Sequence, residues 1–125
     1  MKLHFENGRI TIQATADAWG PFNFNFEDGM PPGRTIASVV VTSYLGKVIP
    51  DDSDVLDDET STTAELIDTA TTTVDATGLI VSVYFNRPTT TAYINVSHSL
   101  LFTFTMDAAG GGGTHTAFYY RVEVI

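Results

Sequence analysis

The chain has 125 residues, 43% of them hydrophobic and 17% charged, with fifteen acidic and six basic side chains and no cysteine. This length fits one domain with one core, and the lack of cysteine excludes a disulfide scaffold, a zinc–thiolate site and a thiol nucleophile. The formal net charge of −9 argues against binding a phosphate backbone or an anionic membrane surface, because both require clustered Lys and Arg.

Three strands are predicted in the first part of the chain. Arg9–Ala14 alternates isoleucine with polar residues, the pattern of a half-buried strand. Residues 20–26, GPFNFNF, place phenylalanines on one face and asparagines on the other. Thr35–Leu45, TIASVVVTSYL, is rich in β-branched residues and apolar on both faces at its centre, with Val40 on the face of Ile36. We therefore expect a central strand that is covered on both sides.

The rest of the chain alternates polar connections with further strands. Residues 46–63 form a long acidic connection, and residues 64–78 carry one or two weak strands. Apolar alternation between turn signals predicts four more strands, at Leu79–Phe85, Ala92–Val96, Ser99–Met106 and Ala117–Ile125. The last two flank the sequence DAAGGGGTHT, which predicts a hairpin with a long, flexible tip.

These elements amount to about seven to nine short strands, with no convincing helix and no repeat. Regular short strands separated by turns are typical of a two-sheet sandwich. We predict an all-β fold, a single immunoglobulin-like or fibronectin-III-like antiparallel sandwich over residues 1–125. A true antibody-type domain is excluded, because its Cys–Trp–Cys framework needs cysteine.

The row of phenylalanines, Phe22, Phe24 and Phe26, allows two interpretations. A period of two puts all three rings on one face, and phenylalanine is usually buried, so the row fits the core face of a strand. The asparagines between the rings are poor strand formers, and prolines bracket the segment. Both features are typical of a guarded edge strand. The row, with Trp19 beside it, is therefore also a candidate for contact with a partner protein.

The glycine-rich tip is the second candidate for protein contact. Its glycines do not predict phosphate binding, because a phosphate loop leads into a helix and usually carries a lysine. Here the glycines lead through Thr114 and His115 into a strand. The tip, including Gly111 and Gly112, is either a flexible hairpin end or a segment that becomes ordered on contact with a partner.

The acidic stretch DDSDVLDDE is a calcium candidate. Asp52 and Asp54 have the alternate spacing with which a calcium loop begins, and Asp57 and Asp58 follow. The next ligand position is Leu56, however, and the glycine of the sharp turn is missing. The alternatives are a solvated loop and a landing site for a basic partner. No cofactor is predicted.

No catalytic site is predicted. A nucleophile, a base and an orienting group must converge, but in the sequence VSHS the side chain of His98 points away from those of Ser97 and Ser99 if the segment is a strand. The other histidines lie at a terminus and at the glycine-rich tip, and the sequence contains no metal-binding pair such as H-x-H. We expect a protein that is not an enzyme.

A carbohydrate-binding β-sandwich module is the alternative function. Exposed tyrosines beside Asp and Asn form the sugar-binding face of many sandwich lectins, although tyrosine is also an ordinary sheet residue. Trp19 is the one strong stacking platform. Five tyrosines lie on predicted strands: Tyr44, Tyr84, Tyr93, Tyr119 and Tyr120. A glycan therefore stays a candidate ligand.

The N-terminal sequence MKLHFENGRI has no apolar segment behind its lysine, so no secretory signal is predicted. No apolar run approaches the roughly 20 residues that span a bilayer. We expect a chain that is made in a host cytoplasm and that can leave it as part of a virion. A cytosolic protein-interaction domain of a bacterial system is a third interpretation.

A short, acidic, cysteine-free β chain rich in Thr and Val resembles the small immunoglobulin-like proteins of tailed bacteriophage particles. The resemblance is carried by the strand TIASVVVTSYL and the closing pair LLFTFTM…GGGG…AFYYRVEV, and it covers most of the chain from Arg34 onward. It implies a structural role in the virion, as a capsid decoration protein or a neck or tail component. The implied partners are other virion proteins and further copies of the chain in a homo-oligomer, with neither nucleic acid nor membrane. No binding residues carry over from the resemblance.

Overall fold

A computed structural model gives the structure of the protein and describes residues 2–12, 18–30, 32–46, 59–107 and 113–125. These residues form strands joined by turns, with a single turn of α-helix and short 3-10 turns at Glu27–Gly29 and Thr91–Tyr93. The bounds of the strands and the helical turn are β1 (Lys2–Ile12), β2 (Ala18–Asn25), β3 (Ile36–Leu45), α1 (Thr63–Leu66), β4 (Ile67–Val74), β5 (Ile80–Asn86), β6 (Val96–Met106) and β7 (Thr114–Val124).

The strands form two sheets that pack together, which confirms the predicted all-β sandwich. One sheet has four strands in the order β1-β7-β6-β3, and the other has three in the order β2-β5-β4. The β1–β7 pair is parallel, and the other neighbours are antiparallel. The strands of the described residues fall within the predicted number, while the immunoglobulin-like or fibronectin-III-like topology stays a prediction.

The core lies between the two sheets and is rich in phenylalanine. Phe24 in β2 and Phe26 just after it are 3% and 0% exposed. Both rings lie 5.0 Å from the ring of Phe102 in β6, centroid to centroid, and Phe26 also lies 4.9 Å from Phe104. Burial of one such side chain stabilises a fold by about 1.5–3 kcal/mol, and ring pairs at this spacing add to that. The core interpretation of the phenylalanine row is confirmed for these two rings.

The predicted central position of the third strand is wrong, because β3 lies at an edge of the four-stranded sheet. A register shift between Ile36 and Ser38 marks a bulge, and one extra residue reverses which side chains face the core. Ile36 is 4% exposed, whereas Val40, which we expected on the same face, is 62% exposed. Val41 is buried instead. A simple alternation counted along the sequence cannot include this bulge.

The strand predicted at Ala92–Val96 is replaced by the 3-10 turn Thr91–Tyr93, and β6 begins only at Val96. Asn95, between the two, has a φ of 60°, in the left-handed region where asparagine is enriched. Its N–H donates to the carbonyl of Val124 at 2.6 Å, which places the start of β6 beside the end of β7. The apolar alternation of this segment therefore belongs mainly to a turn.

The helical turn α1 precedes β4, where the sequence predicted only weak strands. Glu65 in this turn accepts hydrogen bonds from the hydroxyls of Thr90 and Thr89 at 2.6 and 2.7 Å, and from their N–H groups at 2.8 and 2.9 Å. These bonds, with the Thr90 hydroxyl the largest contributor, lower the pKa of Glu65 to about 2. The carboxylate therefore ties α1 to the connection that follows β5.

Candidate contact surface

The side of the four-stranded sheet that points away from the core carries, on β3, the second half of β6 and the start of β7, a grid of mostly small and β-branched side chains. Farther along β7 the same side carries Arg121 and Glu123. Opposite residues of an antiparallel pair share a face, so the registers put Val40 beside Thr103, and Thr103 beside Thr116. We call this grid the outer face. Its side chains come from β3, β6 and β7: Ser38, Val40, Thr42, Leu101, Thr103, Thr105, Thr114 and Thr116. None of them is charged, although the chain carries a formal net charge of −9.

The open side of β3 is hydrogen-bonded over its C-terminal part. The carbonyl of Ser43 accepts an N–H at 2.9 Å from residues 60–63, here called the cover segment, and the N–H of Leu45 donates to a carbonyl of that segment at 2.8 Å. Backbone groups alternate between the two sides of a strand, so Val39 and Val41 also direct their N–H and C=O groups outward. Among the described residues, β3 pairs with β6, its C-terminal part bonds to the cover segment, and the N–H of Ile36 at its start donates to the carbonyl of Gly78 at 2.8 Å. This leaves what we call the free edge, Ser38–Thr42.

The other three edge strands are interrupted. Their register shifts mark bulges between Phe5 and Arg9 in β1, between Trp19 and Phe22 in β2, and between Asp68 and Thr73 in β4. β1 and β4 also contain charged residues, and β2 contains Pro21. By contrast, β3 pairs with β6 without interruption from Ser38 to Leu45 and has neither charge nor proline. Since bulges, charges and prolines are the usual guards of an edge, β3 is the least guarded edge in the described part of the chain.

The predicted contact role of the phenylalanine row is wrong for the two buried rings, Phe24 and Phe26, and stays a prediction for Phe22 and Trp19. β2 is an edge strand, as the edge interpretation expected, but Phe24 and Phe26 face the core and offer no surface to a partner. Phe22 is half-buried, with its ring edge-to-face on Phe85 at 5.5 Å. The backbone of Trp19 lies in β2, and its side chain lies outside the described residues.

The structure separates the residues of the glycine-rich tip. Gly111 and Gly112 lie outside the described residues. Thr114 is exposed on the outer face. His115 lies opposite Phe104 in the β6–β7 register, and Phe104 is a core residue, so His115 points to the inner side of the sheet. Of the described tip candidates, Thr114 therefore lies on the outer face and His115 does not, and their contact role stays a prediction.

The four calcium candidates, Asp52, Asp54, Asp57 and Asp58, lie outside the described residues. Within the residues that the structure does describe, no group of three or more His, Cys, Asp or Glu side chains is placed to hold a metal ion. In the same residues, no helix has the length and apolar character needed to cross a membrane.

A chain of buried hydrogen bonds lies behind the C-terminal part of β3. The Nε2 of His98 lies 2.9 Å from the carbonyl oxygen of Tyr93, so this nitrogen is assigned the proton and Nδ1 is the acceptor. The hydroxyl of Thr62 then donates to Nδ1 at 3.1 Å and accepts from the hydroxyl of Ser43 at 2.7 Å. Burial lowers the pKa of His98, while the hydrogen bond to Tyr93 opposes that shift.

This chain of hydrogen bonds contains a serine and a histidine, but it is buried and a substrate cannot reach it. Ser43 and Thr62 are 0% and 1% exposed, whereas a nucleophile must be reachable. The bonds instead hold the cover segment against β3 and β6. Sequence reasoning misses these hydrogen bonds because the residues that form them are far apart in sequence and no spacing signals their contact. The serine beside His98, Ser99, donates to the carbonyl of Gly46 at 3.0 Å.

No protein-family model, no curated protein and no solved structure matches the chain. The function is therefore argued from the outer face and the free edge, the two described features that offer a partner a regular, uncharged surface.

Proposed function

We propose that the protein is a non-enzymatic structural component that acts through protein–protein contacts, and that it serves as a capsid decoration, neck or tail component of a bacteriophage particle. The observation that carries the contact role is the uncharged outer face with its free edge. The particle setting is what the resemblance of the sequence implies. The partners are then other virion proteins and copies of the chain itself, and the site of action is the virion.

The charge distribution supports a contact surface at the outer face. Charged residues are depleted from the cores of protein interfaces, and the outer face lacks them in a chain with fifteen acidic side chains. Val40, at 62% exposure, is a large hydrophobic residue held in solvent. The regular grid around it suits a partner that presents another regular surface, as the repeated subunits of a particle do.

The chemistry of the described residues supports a role other than catalysis. His98, which sits in a hydroxyl chain, is fully buried. An open depression at the ends of β6 and β7 is lined by Glu123 together with apolar and small polar residues. Glu123 is the one titratable side chain in that lining, so the depression does not bring an acid, a base and a nucleophile together.

Particles produced from the genome that carries this coding region provide the test. They are purified on a density gradient, and their proteins are quantified by mass spectrometry. We expect the chain at a fixed ratio to a major capsid or tail protein. Its absence from purified particles contradicts the virion role.

A pair of variants tests whether the outer face makes the contact. Thr103→Glu puts a charge at the centre of the grid, and Ala76→Glu puts the same charge in the exposed turn between β4 and β5. We expect Thr103→Glu to reduce incorporation into particles about ten-fold or more, since a buried unpaired charge is costly at an interface. Ala76→Glu is the control and should be incorporated normally. Equal incorporation of both folded variants contradicts the use of this face.

The outer side of the three-stranded sheet favours the alternative, carbohydrate binding. There Tyr84 in β5 lies opposite Asp68 in β4, and the hydroxyl of Ser82 donates to Oδ1 of Asn23 at 2.6 Å. A tyrosine beside acid and amide groups is the combination that sugar sites use. A glycan array with and without calcium tests it. Reproducible binding that Tyr84→Ala abolishes supports this function, and no binding under either condition ends it.

A further inference from the structure

We infer that the free edge of β3 pairs with the free edge of a second copy of this chain. The two strands run antiparallel across a two-fold axis at Val40, and they join two four-stranded sheets into one continuous sheet. The inference deepens the proposed function and rests on its contact role, because it names one partner of the contact surface. It does not depend on the particle setting.

The backbone N–H and C=O groups that point to the open side of β3 are placed correctly for this pairing. Ser43 and Leu45 bond outward to the cover segment, so Val39 and Val41 present their N–H and C=O groups on the same open side. An axis at Val40 places Val39 opposite Val41 of the second copy, and Val41 opposite Val39 of the second copy. Both are then hydrogen-bonded pairs of an antiparallel ladder, so every outward group of the free edge obtains a partner.

The limits of the free edge are also symmetric about Val40. On the N-terminal side the bulge at Ala37 ends the regular strand, and on the C-terminal side the cover segment begins at Ser43. These two limits lie three residues to either side of Val40. In the pairing, the covered residues of one copy lie opposite the bulge of the other copy, outside the five paired residues.

The side chains of the free edge are self-complementary. The sequence from Ser38 to Thr42 is SVVVT. Antiparallel pairing about Val40 puts valine opposite valine and Ser38 opposite Thr42. β-branched pairs and hydroxyl pairs are both favourable across strands. No like charges meet, which matters because each copy carries a formal net charge of −9.

The symmetry favours a second copy over a strand of another protein. A two-fold pairing of like edges is closed, since each copy uses the same edge once. β1 and β4 cannot repeat the contact in the same way, because bulges interrupt both. The pairing thus consumes the least guarded edge and ends at a dimer.

The contact is small, and its affinity is correspondingly low. A five-residue strand pairing lies at the low end of specific interfaces, below about 1,200 Å² in total. We expect a dissociation constant of the order of micromolar or weaker. On a particle with many copies the local concentration is high, and a weak contact between neighbours then contributes.

Sedimentation equilibrium over a concentration series tests the pairing on the full chain. We expect the mass to rise from 13.5 kDa towards twice that value with increasing concentration. Val40→Glu places two carboxylates together at the axis and should raise the dissociation constant about ten-fold or more. Thr11→Glu is the matched control, because it adds the same charge at an exposed position of β1, the opposite edge of the same sheet, and it should leave the dissociation constant unchanged.

Mixing two variants separates a lost contact from a lost fold. Val40→Lys alone should also remain monomeric, but an equimolar mixture of Val40→Glu and Val40→Lys should dimerise, because an ammonium then faces a carboxylate across the axis. A monomeric unmodified chain at the highest concentration overturns the inference. So does a dimer that Val40→Glu leaves intact, or one that Thr11→Glu weakens equally.

Amide hydrogen exchange gives an independent readout. The N–H groups of Val39 and Val41 should become protected as concentration rises, while that of Val40, which points towards β6, should be protected at every concentration. Protection of Val39 and Val41 that does not change with concentration overturns the pairing. A dimer by both methods in a chain that purified particles lack would leave the inference standing and remove the virion role.

Discussion

Two edge strands of this molecule, β2 and β3, show opposite relations between strand propensity and burial of their side chains. β2 contains Pro21, asparagines and a bulge, all of which weaken a strand, yet it directs Phe24 into the core. β3 has the strongest strand sequence of the chain and exposes Val40 at an edge. The difference teaches that strand propensity reports how readily a segment joins a ladder. It does not report how many neighbours that ladder has.

The two edges also differ in what protects them. β2 is protected by its own irregular backbone, and its rings offset the cost of that irregularity through contacts with Phe102 and Phe85. β3 has no such irregularity between Ser38 and Leu45, and a folded segment protects part of it. An edge that is regular and uncharged is open to pairing with another chain. The proposed contact surface therefore lies on β3, although the sequence suggested β2.

The largest expected effect is the loss of a core ring on the β2 side. Phe26→Ala removes contacts with Phe102 and Phe104 and should lower the free energy of unfolding by about 3–5 kcal/mol. Val40→Ala, the matched change on β3, should alter it by less than about 0.5 kcal/mol in dilute solution. Chemical denaturation measures both. Similar losses in the two variants would contradict the opposite placement of the two strands.

The next effect concerns the bulge that guards β2. Gly20 has a φ of +139°, and a Cβ there would lie 2.9 Å from the carbonyl oxygen of Val83. Gly20→Ala should therefore cost about 1–3 kcal/mol, towards the upper end because strain and a backbone clash add. Gly33 is the control, because it has a φ of +76° and a Cβ added there would meet no atom within 4 Å. Gly33→Ala should cost less in thermal or chemical unfolding, and the reverse order would refute this account.

Thr62→Val tests the hydrogen bonds that hold the cover segment on β3. The change keeps the shape of the side chain but leaves Nδ1 of His98 and the hydroxyl of Ser43 without their partner. We expect a loss of about 1–3 kcal/mol in the free energy of unfolding. Thr105→Val, on the exposed outer face, should cost less than about 0.5 kcal/mol. Equal losses of stability in the two variants would show that the buried hydrogen bonds of Thr62 add no stability.

Acidification tests the contribution of the same buried hydrogen bonds to stability in another way. The folded pKa of His98 is lowered below 6.5, so the unfolded state binds this proton more readily than the folded state. The stability provided by the neutral ring is therefore present above about pH 6.5 and is lost as the pH falls through the folded pKa. His98→Gln should flatten the pH dependence of unfolding just below this value, whereas the control His115→Gln should retain it. If the pH dependence of the free energy of unfolding persists in His98→Gln, it comes from another group.

The smallest effect is expected at the exposed hydrogen bonds of Glu65. Its pKa is lowered from 4.5 to about 2, so its contribution is present above about pH 4.5 and is lost as the pH falls towards 2. Solvent screening limits its size. Glu65→Gln should flatten the acid titration of stability in that range and leave the range set by His98 unchanged. The exposed Glu27→Gln serves as control, and identical titrations of the two variants would count against the Glu65 contacts.

Local patterns predicted most of the elements of the fold. The strands at β5, β6 and β7 follow from alternation between turn signals, and in β6 the buried rings of Phe102 and Phe104 alternate with threonines. The same reasoning failed at Thr91–Tyr93, where Asn95 adopts a left-handed conformation that alternation does not detect. It also failed at the start of β3, where the bulge shifts the parity of Val40.

The proposed contact surface was less accessible to sequence reasoning than the fold. Phe24 is a contact candidate in the sequence because its neighbours are poor strand formers. Rings that repeat every second residue all lie on one face of the strand, however, and here that face packs against the core. Thr114 is a candidate through its place in the glycine-rich tip, and it lies on the outer face through its register with Thr105. Val39 and Val41 escape sequence reasoning, because the open side of a strand depends on its neighbours.

Composition and alternation alone determine that this chain forms strands, that these strands have one apolar face, and that the fold is an all-β sandwich, because side-chain parity and β-branched shape act within a few residues. The tertiary structure alone decides which strands lie at edges, where bulges shift the parity, and that Ser43, Thr62 and His98 meet. Those outcomes depend on pairing between segments far apart in the chain, and the free energy of such pairing comes from the shared core and not from either segment by itself.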